Sequence, residues 1–229
     1  MIRSVVYTEL GGPEVLHLIE EADPVAGPGQ VVVQITAAGV NPVDAKQRSG
    51  GRVLPPIVEP RHVGFDGAGV VLELGPGVTA LKPGDRVAIV DTRGTYAERL
   101  VVEEHNAVPI PREVSDEVAA AIGIPASTAY QALRSLDVRA GDTLLVHAGS
   151  GAVGQAAVQF AVDRGATVIA TSSAAHHDRL RQLSAIPVEY GPGLVDRVRA
   201  KRVAHLGPVE RNAGDAPVKR DVGGDVGEG

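Results

Sequence analysis

The stretch HAGSGAVGQ, residues 147–155, constrains the fold more than any other part of this chain. An apolar run, DTLLVHA (142–148), leads into it. QAAVQFAVDRG (155–165) follows with helical spacing and closes on Gly165. TVIATSS (167–173) is a second apolar run of strand character. Strand, glycine turn, helix and strand make one βαβ unit, which predicts parallel strands joined by a right-handed crossover. After it, AHHDRLRQLSA reads as a second helix and PVEY as a short third strand.

The turn itself is Gly149-Ser150-Gly151-Ala152-Val153-Gly154, a complete G-x-G-x-x-G. In that pattern the first glycine permits a tight turn. The second lets the backbone approach a diphosphate, and the third lets helix and strand pack closely. The unpaired N–H groups and macrodipole of the following helix favour an anion there. With 28 glycines in the chain the motif alone is a weak signal. Its place between a strand and a helix makes a dinucleotide site the expectation.

The end of the second strand bears on which dinucleotide. Sites for NAD place an Asp or Glu about 20 residues after the motif, on the ribose hydroxyls. Here the positions read Thr171-Ser172-Ser173-Ala174-Ala175-His176-His177, with no carboxylate before Asp178. Hydroxyls can donate to a 2′-phosphate, and His176, His177 or Arg179 can add positive charge, so NADP is the expected cofactor. The serines can equally serve as caps for the next helix.

Residues 1–110 are built differently. QVVVQITAAGV (30–40), GAGVVLEL (67–74), DRVAIV (85–90) and YAERLVV (96–102) are short β-branched runs separated by GPGQ, GPGV and KPGD. Short strands with turn chemistry between them predict a partly open barrel or sandwich. At about residue 115 the period becomes helical, in SDEVAAAIGIPASTAYQALRSLDV. The expected organisation is a strand-rich domain over 1–114, a dinucleotide-binding domain over 115–190 and an atypical tail over 191–229. The tail has no Ile, Phe or Tyr and shows a hint of periodicity only in LVDRVRAKRVAHL, so it is expected to be largely disordered.

Composition excludes several classes. A net charge of −6 with scattered Lys and Arg argues against a nucleic-acid partner. Cys is absent, so neither disulfides nor thiolate metal sites can form. No apolar run is long enough for a membrane span, and the N-terminus lacks the apolar core of a signal peptide, which makes a cytoplasmic protein the expectation.

Five segments together resemble a known family. They are AAGVNPVDAKQRSG (37–50), GFDGAGVVLELGPGVTALKPGDRVA (64–88), GTYAERLVV (94–102), STAYQAL (127–133) and HAGSGAVGQAAVQFAVDRGATVIATSS (147–173). In order and spacing the chain is similar to the zinc-free quinone oxidoreductase branch of the medium-chain dehydrogenases/reductases, from residue 1 to about 190. The resemblance implies an α/β plus β fold: a GroES-like catalytic domain, then a Rossmann domain. About three Rossmann strands are present before the resemblance stops, so the chain reads as a shortened member.

The resemblance also implies hydride transfer from NADPH to a quinone or an activated C=C. The expected partner is a small-molecule electrophile, and self-association is left open. Zinc-dependent members carry a Cys in the segment matching GVNPVD and a His-Glu pair where this chain has Phe65-Asp66. Asn41 occupies the region of that Cys, so no metal site is expected. Asn41 is the implied catalytic residue, its amide donating to a substrate carbonyl; the alternative is an Asx-turn before Pro42. Thr128 resembles a cofactor-contacting Thr, or is a helix-interior residue. With Gly149, Ser150, Gly151, Ala152, Val153, Gly154, Thr171, Ser172 and Ser173 it completes the implied cofactor set. Lys46 stands where some members carry a Tyr. Asp44 and Arg48 are expected to pair locally, Tyr130 to lie in the core, and His62 and His105 to lie on the surface or in loops. An enoyl reductase module and a catalytically impaired nucleotide-binding remnant are the alternative functions.

Overall fold

The computed structural model describes residues 1–51 and 55–206 of the chain, with the side chains of 202–206 left aside. It divides into two compact units, Met1–Ile124 and Pro125–Gly229. The strands of the first unit are β1 (Ile2–Tyr7), β2 (His17–Glu21), β3 (Gln30–Gly39), β4 (Arg61–His62), β5 (Asp66–Leu74), β6 (Arg86–Ile89), β7 (Arg99–Glu103) and β8 (Ala107–Pro109). Helix α1 (Pro42–Arg48) leaves β3 at the Asn41-Pro42 step, where proline's fixed φ suits the first helical turn.

Two antiparallel sheets carry this unit. One has the order β2-β1-β4 and the other β7-β3-β5-β6-β8. Val31, Val33, Val71 and Val87 are fully buried in the larger sheet's core. The β-branched runs supply this packing because their stiff side chains fit a pleated surface. Between β3 and β5 the register shifts at Val32/Val33 and again at Ile35/Ala37, bulges that bend the pair. The runs expected at 30–40, 67–74, 85–90 and 96–102 all contain strands. β1, β2, β4 and β8 had no strong sequence signal: each is short or mixes charge with apolar residues.

Helix α2 (Asp116–Ser135) contains the division between the units. The change of period at residue 115 marks where this helix starts. Its first turns pack Ala119 and Ala120 against Ala68 of β5, which assigns them to the strand-rich unit. The structure therefore divides later than a boundary at 114.

The second unit continues with β9 (Thr143–Val146), α3 (Ala152–Asp163), β10 (Thr167–Ser172), α4 (His177–Gln182), β11 (Ile186–Glu189) and α5 (Leu194–Leu206). β9, β10 and β11 form a parallel sheet in the order β11-β10-β9, with Val168 opposite Leu144 and Thr171 opposite Val188. Leu133, Val158, Val168 and Leu180 close the core. This is the predicted βαβ unit, a partial Rossmann sheet.

LVDRVRAKRVAHL, the segment of the tail with a hint of periodicity, forms α5. Gly191 and Gly193 turn the chain with φ of 106° and 77°, a region open to glycine. The Arg197 guanidinium then ties the helix back, donating to the Glu189 carbonyl at 2.8 and 3.1 Å and to that of Pro192 at 2.7 Å. Residues 207–229, the rest of the tail, lie outside the described residues. Tyr130 is half exposed rather than core. Its ring meets Phe160 edge-on at 6.4 Å with Arg164 over its face at 5.4 Å.

Candidate functional site

The glycine loop runs from β9 into α3, and the helix starts at Ala152, inside the motif. Ala148 takes a left-handed conformation with φ of 52°, unusual for a residue with a Cβ. The turn is pinned to β10 at two points. The Ala148 N–H donates to Thr171 Oγ1 at 3.1 Å, and the Gly149 N–H to the Thr171 carbonyl at 2.8 Å.

The three motif glycines differ in what surrounds them. A Cβ on Gly149 would lie 2.7 Å from Ala170 Cβ, and one on Gly154 would lie 2.2 Å from the Ala148 carbonyl oxygen. Both must be glycine for the loop to close on its own strand and helix. A Cβ on Gly151 would meet nothing closer than the Ala148 oxygen at 3.4 Å, an ordinary contact. Its φ of −73° and ψ of 167° suit any residue. Among the described residues no contact demands a glycine at 151. The surface there is bare backbone at the mouth of α3, where the N–H groups of Ala152, Val153 and Gly154 have no carbonyl one turn earlier within the helix.

Thr171 and Ser172 are buried and their hydroxyls are engaged within the chain. Thr171 Oγ1 accepts from Ala148 and lies 3.3 Å from His147 Nδ1, and Ser172 Oγ donates to the Ser173 carbonyl at 3.0 Å. Ser173 is the partly exposed member and starts a 3-10 turn over Ala174–His176 without a side-chain capping bond. Arg179 Nε donates to Gln155 Oε1 at 3.1 Å, and Gln155 Nε2 donates to the Ser150 carbonyl at 2.9 Å. Through Gln155 the loop carries a guanidinium on its flank. Thr128 is exposed on α2.

The strand-rich unit holds a second constellation. Asn41 is buried, and its Nδ2 donates to Asp66 Oδ2 at 2.9 Å. Asp66 is only 2% exposed and also accepts from the Ile124 N–H, at 2.9 and 3.0 Å. The Asn41 backbone N–H donates to Asp44 Oδ2 at 2.8 Å, and the Tyr96 hydroxyl donates to the same oxygen at 3.2 Å. Asp44 Oδ1 is buried without a partner among the described residues. Burial raises the Asp44 carboxyl above the ordinary carboxylate range, aided by the nearby Asp66, against the hydrogen bonds from Asn41 and Tyr96. Burial first, and Asp44 second, push the Tyr96 phenol up.

This arrangement replaces the expected Asp44–Arg48 pair. Asp44 turns inward to hold the start of α1, and Arg48 Nε donates to the Gly11 carbonyl at 3.3 Å. Asp66 and Tyr96 had not been singled out as site residues. The available signal was a lone acid in the apolar run GFDGAGVV: a strand buries such an acid only where donors await it. His62 is exposed with Nε2 at 2.9 Å from Glu21, and His105 is exposed on a 3-10 turn, as expected.

An antiparallel strand-rich unit followed by a parallel βαβ unit with a glycine loop at its helix mouth defines a class, the dinucleotide-linked dehydrogenases with a GroES-like domain. The comparisons agree. Residues 27–112 match the alcohol dehydrogenase GroES-like domain. The chain is 41% identical to the quinone oxidoreductase of Homo sapiens over 175 residues, 75% of this chain and 53% of that protein. Among solved structures it resembles an NAD-dependent alcohol dehydrogenase, at 36% identity and a TM-score of 0.81, covering 90% of this chain and 68% of the other. It also resembles the Escherichia coli quinone oxidoreductase complexed with NADPH, at 29% identity and a TM-score of 0.77, covering 87% and 62%. The chain belongs to the medium-chain dehydrogenase/reductase family. It spans about half the length of the curated relatives it matches. No helix among the described residues is long and apolar enough to cross a membrane.

Proposed function

We propose that the chain binds NADP(H) at the 149–154 loop and serves the zinc-independent transfer of hydride from NADPH to a quinone or an enone. The observation that carries this reading is Gly151. Its neighbours in the loop are glycines because the fold needs them, whereas Gly151 leaves open a surface that a closely approaching ligand would use. The N–H groups of Ala152, Val153 and Gly154 would hold a diphosphate there. Ser173 and Arg179 supply a hydroxyl and a cation for a 2′-phosphate. No Asp or Glu among 171–177 would repel that phosphate. The quinone oxidoreductase relatives support the acceptor class.

When bound, the nicotinamide supplies the hydride. Asn41 is the residue proposed to donate to the acceptor's carbonyl oxygen. One of its amide hydrogens is committed to Asp66, which fixes the side chain, and the other is available. Zinc independence rests on the residues present: Phe65 offers no ligand atom and the chain has no thiolate. Thr128 is proposed as a cofactor contact from the family likeness alone.

One observation favours a second reading, nucleotide binding without turnover. Among the described residues β9 pairs only with β10, whereas parallel strands are normally flanked on both sides. Titration calorimetry with NADPH and NADH, followed by NADPH oxidation with 1,4-benzoquinone, tests both readings. NADPH is expected to bind at least about tenfold more tightly than NADH. Binding with turnover supports the enzyme, and binding without turnover supports the second reading. Absence of binding to either nucleotide overturns both.

A further inference from the structure

We propose that the strand-rich unit carries an anion-binding site, a cavity of about 530 Å³ lined by Pro55, Arg61, His62, Arg93 and Leu100, for a small molecule that joins a carboxylate or phosphate to an apolar body. Its size falls within the range of small-molecule sites. Two guanidiniums and an imidazole meet there with a proline and a leucine, so charge recognition lies beside apolar contact area.

Each cation is held in place by the fold. Arg61 is oriented by donating through Nη2 to the carbonyls of Pro55 and Pro56, the latter at 3.0 Å. Arg93 lies over the Phe65 ring at 5.3 Å, a cation–π contact that orients the guanidinium and leaves its charge uncancelled. The loop bearing Arg93 is fixed by the Gly94 N–H, which donates to the Gly64 carbonyl at 2.9 Å. Gly94 also lets the chain pass close to His62 and Leu100, where a Cβ would lie 3.3 and 3.4 Å from their atoms.

The charge balance around the cavity favours an anion. Glu21 is committed to His62, at 2.9 and 3.0 Å from Nε2. A bond from Ser4 and that contact with His62 hold it below the usual carboxylate range. Among the described residues no carboxylate lies within salt-bridge distance of Arg61 or Arg93. Two uncancelled guanidiniums on one apolar-sided cavity, in a chain of net charge −6, form a site suited to bidentate carboxylate or phosphate recognition. The residues of this site all belong to the strand-rich unit, and the proposal does not depend on the hydride-transfer reading.

The test is binding of benzoate, benzamide and inorganic phosphate to the full chain without nucleotide, followed by amide chemical shifts and titration calorimetry. Benzoate is expected to saturate, to shift the amides of His62 and Gly94, and to bind at least about tenfold more tightly than benzamide. Arg93→Gln and Arg61→Gln should each weaken benzoate about tenfold and leave benzamide unchanged, and added salt should weaken benzoate alone. Displacement of benzoate by inorganic phosphate would assign a phosphate-bearing ligand; its failure to displace would assign a carboxylate. Equal binding of benzoate and benzamide, or unchanged benzoate affinity in both variants, would overturn the proposal.

Discussion

Asp44 shows how one buried carboxylate organises a site without touching its chemistry. It holds the Asn41 backbone, accepts the Tyr96 hydroxyl and keeps one oxygen buried without a partner among the described residues. Burial raises its pKa, so the native state binds a proton that the unfolded chain has already released above 3.8, the ordinary value. Stability must then fall as pH rises from that value through the folded pKa. Asp44→Asn keeps one carbonyl oxygen for both donors and removes the titration. In urea unfolding, the variant should therefore gain stability relative to the native chain as pH rises above the ordinary carboxylate value. A constant difference across that range would show that Asp44 does not titrate abnormally. The cause of the upward shift is burial: Asp44 is buried, and its Oδ1 has no partner among the described residues.

At the scale of elements, the strand–loop–helix junction separates folding demands from binding demands. Gly154 is where α3 presses on the loop, and Gly149 is where the loop presses on β10. Gly154→Ala forces a methyl group against backbone and should cost about 1–3 kcal/mol in chemical denaturation. Gly151→Ala has room and should change stability by less than about 1 kcal/mol, the scale of a cap substitution. It should nonetheless weaken NADPH at least about tenfold, because the new Cβ occupies the diphosphate's approach. Equal losses of stability in the two variants would remove the distinction. The βαβ unit was legible because apolar strands, a glycine turn and a helical repeat are local signals. The start of α3 at Ala152 was not, since glycines at 151 and 154 disguise a helix that tertiary packing then imposes. Helix α5 gave only a hint of periodicity, in a composition without a strong apolar stripe. Its anchor is Arg197 on backbone carbonyls, a contact that periodicity does not reveal.

The molecule is two units with separate cores, and their cohesion should differ from strand to strand. β3 lies between β7 and β5 and buries Val31, Val32 and Val33, while β9 has one neighbour among the described residues. Native-state hydrogen exchange should show the amides of Val31 to Ile35 among the slowest and those of Thr143 to Val146 markedly faster, because edge strands open locally. Saturating NADPH should slow exchange in β9 and the loop, since a ligand bound only to the folded state stabilises by about 2.7 kcal/mol at a hundredfold excess over Kd. Fast exchange in β3 would contradict the described core.

The sequence by itself determined the order of the two units, the parallel βαβ segment, the glycine loop and the family likeness. Each rests on residues adjacent in the chain, so propensity, periodicity and turn chemistry suffice to read it. Only the tertiary structure decided that Asp66 holds Asn41, that Asp44 faces inward to Tyr96 and away from Arg48, and that Arg61 and Arg93 meet at one cavity. Those pairings join residues 25 to 52 positions apart, with Arg61 and Arg93 falling between those separations. Where a charged side chain ends up is set by the desolvation penalty and the donors that offset it, quantities that exist only once the sheets have closed.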